Sequence, residues 1–108
     1  MKVKNIHWIG CDEAEVEISD DLDLQTLVTF CHPCFLEKGD RVLEPLKAFD
    51  IGNAVISDRH SFLIKKQANY GYYIIAKVIS SIDSLVEVNG ILIRLSYLPV
   101  NCQLGEFV

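Results

Sequence analysis

Between Asn5 and Glu37 the chain has no lysine and no arginine, yet it carries Asp12, Glu13, Glu15, Glu17, Asp20, Asp21, Asp23 and Glu37. An acidic stretch of this kind repels a phosphate backbone and suits a basic protein surface. The chain also lacks any run near the roughly 18 consecutive apolar residues of a membrane span, so no membrane insertion is expected. No apolar stripe at helical spacing lasts three turns, which argues against a helix bundle. No G-x-S-x-G, Walker loop, dinucleotide fingerprint or H-E-x-x-H occurs, so no catalytic residue and no cofactor are expected and the protein reads as non-enzymatic.

What is present favours strands. Half of the 108 residues are apolar, rich in Val, Ile, Leu, Tyr and Phe, enough for one domain over 1–108 with its own core. The net charge of −5 is uneven: residues 1–54 hold 11 acids and 5 bases, residues 55–108 hold 4 and 5. The halves therefore stand at −6 and +1, a polarity suited to steering a partner. Met1-Lys2-Val3-Lys4 is basic, but acids follow where a signal peptide needs an apolar region, so a cytoplasmic location is expected. Four cysteines in such a chain are expected to be thiols, not a disulfide frame.

Turn signals recur every 8–12 residues, as in sandwiches and barrels. Strands are predicted at about Val3–Ile9, Ala14–Ser19 and Leu24–Cys31, the last halted by Pro33. In the second, Glu13, Glu15 and Glu17 alternate with Ala14, Val16 and Ile18, which gives one wet face, with carboxylates about 7 Å apart, and one dry face. Glu37-Lys38-Gly39-Asp40 reads as a turn, and Pro45 marks an edge or bulge. Short strands are expected at Ala54–Ile56 and Phe62–Lys66. Tyr72–Ile79 is expected to be a central strand buried on both faces. Asn89-Gly90 between Leu85–Val88 and Ile91–Leu95 signals a type I′ hairpin.

Three other groupings invite a chemistry. Cys31-His32-Pro33-Cys34 has a redox spacing, but Gly39-Asp40 leaves no room for the helix that would activate the first thiol. Zinc would need the scattered Cys11 and Cys102, or His32, to complete its ligands, so no metal is expected and the cysteines read as small apolar fillers. Asp58-Arg59-His60-Ser61 has acid–base residue types but reads as a turn. Lys65, Lys66, Tyr70, Tyr72 and Tyr73, extended by Arg59, Lys77 and Arg94, could stack and hold single-stranded bases. The overall negative charge works against that use.

Tyr73–Ile79, the Asn89-Gly90 hairpin and Pro99 followed by Gly105-Glu106-Phe107-Val108 resemble the closing strands of small OB-like β-barrels. Phe30-Cys31-His32-Pro33-Cys34 with Gly39-Asp40-Arg41-Val42 is similar to a pattern in small bacterial β proteins, some of which are immunity proteins that silence a toxin. The resemblance implies an all-β fold, a single small antiparallel OB-like barrel with little helix. It also implies an inhibitor whose carboxylates meet the cationic site of a nuclease toxin. The residues expected at that interface are Asp12, Glu13, Glu15, Glu17, Asp20, Asp21 and Asp23. Trp8 is added as an aromatic anchor, although alternation alone cannot assign its face.

Overall fold

The alternation around Glu15 does form a strand in the computed structural model, which describes residues 1–23, 25–48, 55–68, 71–99 and 102–108. Three strands, β1 (Lys2–Trp8), β2 (Ala14–Ser19) and β3 (Thr26–Cys31), make an antiparallel meander in that order. Ala14, Val16 and Ile18 are almost fully buried, and Val3 and Leu27 lie with them in register. Burying side chains of this size stabilises by about 1.5–3 kcal/mol each for the Val, Ile and Leu members. One extra residue on β1, Lys4, bulges between the Val3–Ile18 and Asn5–Glu17 pairs.

The predicted turn at Glu37–Asp40 forms. The Asp40 N–H donates to the Glu37 carbonyl (3.0 Å), the Glu37 N–H donates to the Asp40 carboxylate (2.8 Å), and Gly39 takes φ 92. The chain then runs back along the free edge of β1. There Val3 donates to Asp40, Gly39 to Val3 and Val42 to Met1, each at 2.8 Å. These contacts satisfy an edge that would otherwise present unpaired donors.

Residues Met1–Leu43 form one compact unit and Glu44–Val108 a second. The second contains β4 (Leu46–Lys47), β5 (Leu63–Ala68), β6 (Gly71–Ile75), β7 (Lys77–Ser80), β8 (Leu85–Val88) and β9 (Ile91–Arg94). Strands β5 and β6 make a two-stranded antiparallel ribbon, and the others form a sheet in the order β4-β9-β8-β7. Pro45 immediately precedes β4, the outermost strand, which pairs with β9 in parallel. The β8–β9 hairpin turns through Asn89 (φ 47) and Gly90 (φ 88), the two left-handed residues of a type I′ turn. Val86, Val88, Ile91 and Ile93 supply its buried face.

Two strand expectations are corrected. Tyr72–Ile79 is not one central strand: it is interrupted at Ala76, with β6 in the ribbon and β7 in the four-stranded sheet. A continuous apolar run specifies burial, but the change of sheet at Ala76 needs only that each half bury one face. On its other side β7 meets the C-terminal segment. Ala76 and Val108 exchange both backbone hydrogen bonds (3.0 and 2.8 Å), and Gly105 and Glu106 together face Val78. Two residues opposite one, with Gly105 at φ 87, is a G1-type bulge. The short strand expected at Ala54–Ile56 is also absent from its described part, since Val55 and Ile56 are irregular; Ala54, like the Gly52-Asn53 turn, lies outside the described residues.

Among the described residues there is no helix, and so none long and apolar enough to cross a membrane. The class is all-β, built from several separate and mainly antiparallel sheets.

Candidate acidic interface

Register decides which side chains share the wet face of the meander. Glu15 sits between His7 on β1 and Phe30 on β3, and Glu17 sits between Asn5 and Val28. Residues directly opposite in a ladder lie on the same face, so Glu15 and Glu17 stand among Phe30 and Val28. Phe30 is 52% exposed. The inner side of β3 instead carries Leu27, Thr29 and Cys31, and the Thr29 hydroxyl donates to the Val16 carbonyl at 3.0 Å. β3 therefore places Val28 and Phe30 outward beside the two glutamates, together with Thr26 at its start.

At one end of this face the loop Gly10–Asp12 is held by the Glu13 carbonyl, which accepts from Ile9 (2.9 Å) and Gly10 (3.2 Å). The segment after β3 is bound to that loop by the Cys34 N–H, which donates to the Asp12 carbonyl at 2.8 Å. This brings His32 to Asp12 and Glu13, with its Nδ1 at 3.7 and 3.8 Å from their carboxylate oxygens. The His32 ring also stacks on Phe30, centroids 6.5 Å apart. One donor atom from each of Asp12, Glu13 and His32 lies within 4.8 Å of the others, so these are the residues that could share a cation. All three are solvent-accessible, and the imidazole stands beside both carboxylates. The sequence pattern does not join His32 to the acidic row, because the contact depends on the loop after β3 folding back to Asp12. Phe30 is not among the residues expected at the interface, although counting from inward-facing Leu27 places it on the wet face beside Glu15.

Asp20, Asp21 and Asp23 have partners at the far end of β2. Asp20 is 5% exposed, and its carboxylate accepts the Gln25 N–H at 2.9 Å, closing the turn between β2 and β3. Asp21 pairs with the N-terminal ammonium of Met1 at 3.1 Å, and Asp23 with Lys4 at 3.3 Å. Exposed pairs of this type contribute up to about 1 kcal/mol and still cancel charge locally. At the other end of the acidic row His32 stands beside Asp12 and Glu13, and His7 lies opposite Glu15 across the β1–β2 ladder. Trp8 is 48% exposed but pairs with Ala14, so register places it on the side away from Glu15 and Glu17.

All four cysteines are free thiols. Burial, followed by the neighbouring thiol of Cys34, pushes the Cys31 thiol up to about 11. Burial and then the Glu106 carboxylate raise Cys102. His60 stacks on Phe107, centroids 5.6 Å apart, which gives it a packing role.

The basic, aromatic residues of the second unit divide between faces. Lys65 is opposite Tyr73 and Lys66 opposite Tyr72, on alternate sides of the ribbon. Tyr70 lies outside the described residues. Lys77 faces Glu87 across β7–β8, and Arg94 faces Leu85. Comparison with known family models, with curated proteins and with solved structures found no match to this chain.

Proposed function

We propose that the outer face of β2–β3 is a docking surface for a basic protein, and that the protein acts by binding, in the manner of an immunity protein covering the cationic site of a nuclease toxin. The observation that carries this reading is the pairing of Glu15 with Phe30 and of Glu17 with Val28 on one face. Carboxylates steer a basic partner and set its orientation, while an exposed ring beside them offers apolar area to desolvate. A face kept only for solubility would mix charge signs and avoid outward aromatics.

Asp12, Glu13, Glu15 and Glu17 are the contacting acids in this reading, with Phe30 at the centre. Asp20 is left out because it closes a turn, and Asp21 and Asp23 form a charged rim already offset by Met1 and Lys4. Trp8 would contact the partner only around the end of the sheet. The reading takes 1–108 as one OB-like bacterial domain working in the cytoplasm, where four free thiols are at home.

The test is capture from host lysate at low and high salt, comparing wild type with a Glu15→Lys, Glu17→Lys variant of matched circular dichroism. A basic protein held by wild type, released by salt and lost in the variant supports the interface. Equal capture by both variants removes it. A second reading, a nucleic-acid-binding module, is favoured by the exposed Lys65–Tyr73 pair. Retention of the acidic protein on heparin, abolished by Lys65→Glu, would select it.

A further inference from the structure

Two backbone contacts bring Cys31 and Cys34 together. Cys31 pairs with Ala14 in the β2–β3 ladder, and Cys34 is fastened to Asp12, two residues before Ala14, by its N–H at 2.8 Å. The two thiols are within side-chain hydrogen-bonding reach of each other. The side chains also share a direction. Cys31 lies opposite fully buried Ala14, so it belongs to the inner face, and Cys34 is itself buried, with 4% exposure.

We propose that Cys31 and Cys34 are a reversible dithiol–disulfide site, oxidised by a small disulfide such as glutathione disulfide. Cys31 is the more accessible of the two thiols, so its thiolate attacks the external disulfide and expels one glutathione thiolate. Cys34 then loses its proton to solvent and attacks the Cys31 sulfur of the mixed disulfide, releasing the second glutathione. Two protein thiols become one disulfide, two electrons reduce glutathione disulfide, and two glutathione molecules leave. No activating helix is required, because proximity of the second thiol supplies the resolving step. The cost appears in the rate: the Cys31 thiol, held up to about 11 by burial and by Cys34, presents little thiolate at neutral pH. The pair is therefore slow, and its state follows the redox poise.

The experiment uses the whole folded protein, incubated with glutathione disulfide, quenched by acid and analysed by intact mass and non-reducing peptide mapping. The expected product lacks two hydrogens, carries no glutathione and yields a linked Cys31–Cys34 peptide, and dithiothreitol reverses it. The rate should rise about tenfold per pH unit between neutral and mildly alkaline pH, as thiolate attack requires. In a Cys34→Ser variant shown by circular dichroism to be folded, a stable glutathione adduct should remain on Cys31. A lasting adduct on wild-type Cys31 overturns the proposal, as does linkage through Cys11 or Cys102, or no oxidation at all. The wild-type result decides by itself if the variant does not fold.

Discussion

Phe30 and Glu15 are direct cross-strand partners on the outer face of the β2–β3 ladder. A ring and a carboxylate side by side separate two contributions that are usually confounded, since one can be removed while the other is kept. Phe30 also reaches His32 by ring stacking, and His32 stands beside Asp12 and Glu13. The apolar and acidic parts of the candidate interface are consequently one continuous structure.

Phe30→Ala should weaken capture of the basic partner by at least tenfold, about 1.4 kcal/mol, as expected for an aromatic anchor. Its effect on folding should stay within about 1 kcal/mol, because the ring is half exposed. Ile18→Ala, on the buried face of the same meander, should instead destabilise by about 2–5 kcal/mol. Urea unfolding paired with titration of the captured partner checks both. Loss of stability in Phe30→Ala equal to that in Ile18→Ala would make Phe30 a core residue.

Asp20 and Asp21 are neighbours with opposite duties. Asp20→Ala leaves the Gln25 N–H without its part-buried carboxylate partner and should cost about 1–3 kcal/mol. Asp21→Ala removes only an exposed pair with the N-terminus and should cost under about 1 kcal/mol. Thermal melts of the two variants under one buffer condition distinguish them, and equal costs would contradict the assignment.

Gly90→Val should destabilise by about 1–3 kcal/mol, since a β-branched residue is strained at the φ of 88 that the turn requires. Gly90→Ala should lose less. Melting of Gly90→Val at the wild-type temperature would mean that the hairpin does not hold this turn in solution.

Cys31 predicts an alkaline loss of stability. Its folded-state thiol stands at about 11 against an ordinary 9.0, so between those values the folded chain keeps a proton that the unfolded chain releases. Stability contributed by the protonated thiol is fully present below pH 9 and falls as pH rises toward 11. Comparing urea midpoints of wild type and Cys31→Ala across that window isolates the effect, with the steeper decline expected in wild type. Parallel curves would show that the thiol titrates alike in both states.

The sequence made some of this legible for simple reasons. Ala14–Ser19 was readable to the residue because period-two alternation has one interpretation when one face is buried. Asn89-Gly90 was readable because few other pairs accept two left-handed conformations. Tyr72–Ile79 misled because a run of apolar residues says nothing about which partner strand each residue meets, and Ala76 carries no mark of the change. The candidate interface was half legible. The carboxylates could be seen, but their pairing with Met1, Lys4 and His32 depends on which residues the meander brings across. The face of Trp8 followed only from the Lys4 bulge and the resulting register.

The pairing of β7 with Glu106–Val108 also sets an order of synthesis. The described partners of β1, β2 and β3 have all been translated once Leu43 is reached. β7 is made by Ser80, but Ala76 and Val78 must wait for Glu106–Val108 to satisfy their outer N–H groups. Until then a nascent or truncated chain exposes an open strand edge, the feature by which one chain most readily recruits another. Deleting Glu106–Val108 would therefore reopen that edge, at a position remote from the acidic face in sequence.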